Sequence, residues 1–231
     1  MRFRNLLSIT LGLAVGCGLS YIGYRRSQVR ALPPNQRTFP KRIFNLAGFR
    51  RSMRDFLAHV VQLQRARQSG RIDKSFAERL MLAVSVVNGC RACCTMHSRF
   101  ALRAGASTEE IQRFRMGDWA NAPAEELVAL LFAQHFAESE GTPTPEACTR
   151  LTETYGEAKT RDLMAFVRFA QLTNLFGNTA EALWSRLLGV PAPRSAWWQE
   201  GSVLLLGIIL LPATMLRNRW KIPESAPGGF S

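Results

Sequence analysis

Acidic residues are nearly missing from the first third of this sequence. Residues 1–72 hold fourteen Lys and Arg against one acid, Asp55, whereas residues 73–231 hold sixteen of each sign. The whole excess of +13 therefore sits on the N-terminal side. Strand patterning is missing as well. No segment alternates apolar and polar residues between hairpin turns, which points to an all-α fold. Zinc-finger spacing, RNP-like aromatics and a basic zipper are absent, so the basic block is read as meeting no nucleic acid. Five cysteines (Cys17, Cys90, Cys93, Cys94 and Cys148), three of them clustered, are too few and too uneven for a secreted disulfide framework. They read as local thiol chemistry.

Two apolar runs stand out. Leu6 to Tyr24 is uncharged and is flanked by Arg2, Arg4, Arg25 and Arg26. It is just long enough to cross a hydrocarbon core, so residues 1–27 are expected to be an N-terminal transmembrane anchor. A cleaved signal peptide is the competing reading, but no A-x-A site closes the run; lipidation at Cys17 is a lesser option. Residues 28–42 form a basic linker broken by Pro33, Pro34 and Pro40. Ser202 to Leu216 is the second run, with Trp197 and Trp198 on one side and Trp220, Arg217, Arg219 and Lys221 on the other. Residues 193–221 are thus expected to be a membrane span or an interfacial helix, and 222–231 a disordered tail. Anionic membrane lipids are the partner this charge pattern suits. Counting Arg25, Arg26, Arg30 and Arg37 as cytoplasmic places the domain on the inner side of a bacterial inner membrane.

Between the runs, residues 43–192 carry helical periodicity. Phe44, Ala47, Met53, Phe56, Leu57, Val60, Val61 and Leu63 form one stripe with arginines opposite, ended by Gly70. Ser75–Val87 reads as a buried second helix and Cys90–Arg103 as a third, followed by Gly105. Ser107-Thr-Glu-Glu110 is a capping box for the fourth. Pro123 opens a fifth to about Ser139, and Thr144-Pro145 caps a sixth. Glu157–Phe176 and Thr179–Leu188 complete the set. His135, Trp119, Trp184 and Phe176 read as core or contact residues, and Cys148 as structural. Gln171, Asn174 and Asn178 suit either the thiol pocket or ordinary core hydrogen bonds.

The chemistry concentrates in Asn88-Gly-Cys-Arg-Ala-Cys-Cys-Thr-Met-His97. At a helix start, Cys90 and Cys93 share a face, and His97 lies one turn further along it. Free N–H groups and the helix dipole lower a thiol pKa there, and an imidazole can take the proton. Zinc binding wants four ligands, and no second Cys-x-x-Cys or His-x-His pair supplies them. Cysteines packed as inert small hydrophobes are the other competing reading. No cofactor and no metal is expected. Cys94 points about 100° away from Cys93 and reads as a buried small residue.

The stretch Glu78…Asn88-Gly-Cys90-x-x-Cys93-x-x-x-His97-x-x-x-Ala101-x-x-x-Gly105-x-Ser107-x-Glu-Glu110-Ile111 resembles the AhpD-like branch of the carboxymuconolactone decarboxylase superfamily. The resemblance covers about residues 45–190, outside the two apolar ends. It implies that Cys93 is the peroxidatic thiol, Cys90 the resolving thiol, His97 the base on Cys93, and Glu78 the residue that orients His97. A hydroperoxide substrate, a dithiol or carrier-protein reductant and a homo-oligomer of trimers or larger follow from the same resemblance. One departure is Ala92, which stands where the best-known members carry a histidine. The family's decarboxylases lack the cysteine pair, so that activity is not implied. The expected function is therefore a membrane-anchored thiol peroxidase. The alternative is an accessory or assembly subunit of a membrane complex that keeps the fold with little turnover.

Overall fold

A computed structural model describes residues 20–219 of the chain. The N-terminal anchor, apart from its last residues, and the tail 222–231 lie outside the described residues. Helix α1 covers described residues 20–31, so it runs into the segment read above as linker. That segment is not a free spacer. A short 3-10 turn, Pro34–Gln36, follows α1, and Phe39 is buried in a small cluster with Ala182, Val190 and Ala192. Arg42 donates to the carbonyl of Ala137 at 2.8 Å, and Lys41 pairs with Glu181.

The rest is helical, and among the described residues there is no strand. Helix α2, Leu46–Ser69, starts three residues later than the periodicity suggests because Asn45 caps it, accepting from the Gly48 N–H at 2.7 Å. Phe44 is still buried, but ahead of the helix, and Ala47 faces solvent. Gly70 ends α2 in the left-handed region, at φ 67°. Helix α3, Lys74–Asn88, is capped by Asp73 and is the most buried element: Leu80, Leu82, Ala83 and Val84 have no exposure at all. It packs against α4 (Arg91–Arg103), α5 (Thr108–Arg115), α6 (Ala124–Glu138) and α7 (Pro145–Leu187). The predicted capping box of Ser107 and Glu110 opens α5. A buried ion pair, Arg79 Nε to Glu126 Oε2 at 2.7 Å, fastens α3 to α6.

Two expectations about the last helices need correction. The segments 157–176 and 179–188 are not separate: α7 runs unbroken through Gly177 and Asn178, and its one non-helical residue is Gly156, at φ 71°. Asn178 does not cap a helix end. Its amide donates at 2.8 Å to the carbonyls of both Arg42 and Asn88, so it ties α7 to two distant segments. The membrane-span reading of 193–221 also fails, because among the described residues no helix is long and apolar enough to cross a membrane. Helix α8, Trp197–Arg219, is docked at its start. Glu200 and Val203 are fully buried, and Arg186 donates to Glu200 at 2.8 Å. Glu200 and Val203, which fall within the stretch read above as a span, therefore belong to the helical core. Trp184, expected to pack inside, is 43% exposed.

Candidate active site at the start of helix α4

The turn from α3 into α4 sets the site. Gly89 ends α3 at φ 66°, in a conformation that L side chains rarely adopt, so the chain reverses without a Cβ clash. The next residue, Cys90, is the N-cap of α4, and its sulfur accepts from the Cys93 N–H at 3.3 Å. Cys90 and Cys93 form a disulfide, with Cα atoms 5.3 Å apart. Cys90 is buried and Cys93 half-buried, so Cys93 is the sulfur that an external reactant meets first.

Buried polar side chains hold this turn from behind. Asn88 donates to Gln171 of α7 at 2.8 Å, and Asn174 of α7 donates to Ser85 of α3 at 3.0 Å. Gln171 and Asn178 thus fix the side chain and the carbonyl of Asn88, two residues before Cys90, while Asn174 holds Ser85. These three α7 residues thus serve core hydrogen bonding, one of the two roles left open by the sequence. Buried polar networks of this kind stay fixed because an unpaired member costs about 1–3 kcal/mol.

His97 lies one turn beyond Cys93 on the same face of α4 and is buried. Its Nδ1 is 2.7 Å from Oε2 of Glu78, which reaches across from α3. A carboxylate only accepts, so in the neutral ring the nitrogen facing it carries the proton and Nε2 keeps its lone pair. Of the four residues singled out in the sequence, Cys90 and Cys93 are joined by the disulfide at the start of α4, and His97, one turn beyond Cys93, meets Glu78 of α3. Met96 and Phe100 follow Cys93 on the α4 surface and are 45% and 36% exposed, giving the site an apolar rim.

Other candidates lie elsewhere. Burial pushes the Cys94 thiol up, and the nearby charge of Arg115 only partly counters it, so Cys94 holds its proton more tightly than an ordinary thiol. Ala92 is exposed at the first turn of α4. His135 ends α6 half-buried, with Nε2 accepting from the Thr144 N–H at 3.1 Å, and so shapes the α6–α7 turn. Trp119 is buried against Phe114. Cys148 lines a separate groove of about 870 Å³ with Arg51, Asp55 and Arg168. The sequence reading did not foresee this groove, since its walls come from α2, α6 and α7 and share no motif. Among the described residues no three His, Cys, Asp or Glu side chains cluster as metal ligands would.

Residues 54–135 match the family model described as the carboxymuconolactone decarboxylase family, a span that contains Glu78, Cys90, Cys93 and His97. No curated protein and no solved structure matches the chain at a significant level.

Proposed function

From the premise that residues 54–135 belong to the carboxymuconolactone decarboxylase family, we propose that this protein is a thiol-dependent peroxidase of the AhpD-like kind. The observation that carries the reading is the disulfide at the start of α4 with the His97–Glu78 pair one turn away. The structure holds the oxidised state of the cycle. In the reduced state, Nε2 of His97 takes the proton of the Cys93 thiol, and the free N–H groups at the start of α4 stabilise the thiolate. The Cys93 sulfur attacks one oxygen of the hydroperoxide, the O–O bond breaks, and an alcohol leaves with the proton from His97. Cys93 is then a sulfenic acid. The Cys90 sulfur attacks it, water departs and the Cys90–Cys93 disulfide forms. A dithiol or a carrier protein then reduces the disulfide by exchange, with Cys93 as the exposed entry point. The exposed side chains of Met96 and Phe100 suit an organic hydroperoxide.

The same reading holds the chain at a bacterial inner membrane by the run Leu6–Tyr24, with the helical domain on the cytoplasmic side and several copies assembled as a homo-oligomer. The deciding experiment uses the full chain in detergent with tert-butyl hydroperoxide and dithiothreitol. Peroxide consumption is expected, and Cys93→Ser abolishes it. An equal rate in the variant, or no consumption by either protein, rules the reading out and favours a non-catalytic subunit.

A further inference from the structure

Helix α8 leaves the core with much of its surface uncovered. Its docked stripe is Glu200, Val203 and Gly207, and Gly207 sits so close to the ring of Phe176 that no side chain fits between them. Around that stripe, Leu205, Leu206, Ile208, Ile209 and Leu210 are 36–65% exposed. At about 100° per residue these five side chains sweep an arc of about 200°, more than half of the helix circumference. No charged residue occurs from Gly201 to Leu216. A helix that is apolar over so wide an arc is stable inside a protein core or in lipid. One flat protein partner would cover only part of it.

Two further observations select lipid. Within residues 201–221 the charged residues are Arg217, Arg219 and Lys221, all basic, and Trp197 and Trp198 stand exposed at the other end, 69% and 49%. Basic and indole side chains flanking an apolar stretch suit an anionic headgroup layer. Moreover, Arg26 lies beside Gly189, in the turn that leads to α8. Tyr24, the last residue of the uncharged run, is two positions from this contact.

We propose that α8 lies in the interface of one leaflet of an anionic bilayer, with the arc Leu205–Leu210 buried among acyl chains and the docked stripe holding the domain against the headgroups. The helix does not cross. Its uncharged stretch would reach about 24 Å, short of a hydrocarbon core of about 30 Å, and its basic end returns to the headgroup layer. This inference goes beyond the peroxidase reading and stands or falls without it.

The test reconstitutes the full chain in phosphatidylcholine–phosphatidylglycerol vesicles containing a phospholipid with a photoactivatable diazirine on its acyl chain. After irradiation, mass spectrometry maps the labelled residues. Labelling of 204–210 at about tenfold or more the level on Met96 and Phe100 is expected, since those two are exposed apolar side chains on another face. Labelling no stronger than on Met96 and Phe100, or confined to residues 6–24, overturns the proposal. Omitting phosphatidylglycerol is expected to lower the labelling several-fold, and undiminished labelling overturns the anionic preference.

Discussion

In the proposed mechanism His97 acts on Cys93 through Nε2, because Nδ1 faces the Glu78 carboxylate. Glu78→Gln removes the carboxylate that fixes the tautomer, so either ring nitrogen can then carry the proton. Peroxide turnover is expected to fall by up to about 100-fold, the lower bound for loss of a whole acid–base contribution, since His97 itself remains, with little change in thermal midpoint. A steady-state assay beside a melting curve checks both. Cys94 behaves differently. Its raised pKa means the neutral thiol persists to higher pH than in a free cysteine, so its alkylation by iodoacetamide should reach half-maximal rate at a higher pH than that of free cysteine measured alongside. Cys94→Ser should leave turnover within about twofold, because the helical step turns it away from Cys93. Residues of this site were legible in the sequence to the extent that local spacing determines a helix face. Cys90, Cys93 and His97 follow from periodicity. Glu78 is nineteen positions from His97, and only the family resemblance drew attention to it.

At the scale of elements, helix ends written in local chemistry were legible. Gly70, Gly89, Ser107 and Thr144 each cap or end a helix as their residue types imply. The continuity of α7 through Gly177–Asn178 was not, because the partners of Asn178 are the carbonyls of Arg42 and Asn88, and no local rule reports such contacts. The span reading of α8 failed for a related reason. Its hydropathy is readable, but its docking depends on Arg186 and on the contact with Phe176. Burial alone would push the Glu200 carboxyl up, yet hydrogen bonds from Arg186 and Ser195 outweigh it and hold the group below the usual range. A depressed folded-state pKa contributes stability above the ordinary glutamate value and loses it as pH falls through the folded one. The docking of α8 is therefore expected to be intact at neutral pH and to weaken below about pH 4, which protease cleavage within 193–203 would report. Gly207→Ala tests the same contact sterically. Its methyl group would overlap the Phe176 ring, and a loss of about 1–3 kcal/mol in a denaturant titration is expected.

For the molecule as a whole, the disulfide is a chemical device more than a brace. It closes a loop of only two intervening residues, so the chain-entropy account allows it about 2 kcal/mol. Reduction should lower the thermal midpoint by less than about 8 °C for a chain of this size, as calorimetry with and without reductant can show. Both redox states are therefore expected to keep the fold. The 43-residue helix α7 carries a different consequence. It packs against α2, α3, α6 and α8, and it begins only at Pro145. While a ribosome is still making the first 144 residues, the apolar sides of α2, α3 and α6 have no lid. The interior can close only when α7 emerges, shortly before α8, so the nascent chain is expected to expose apolar surface until late in its synthesis.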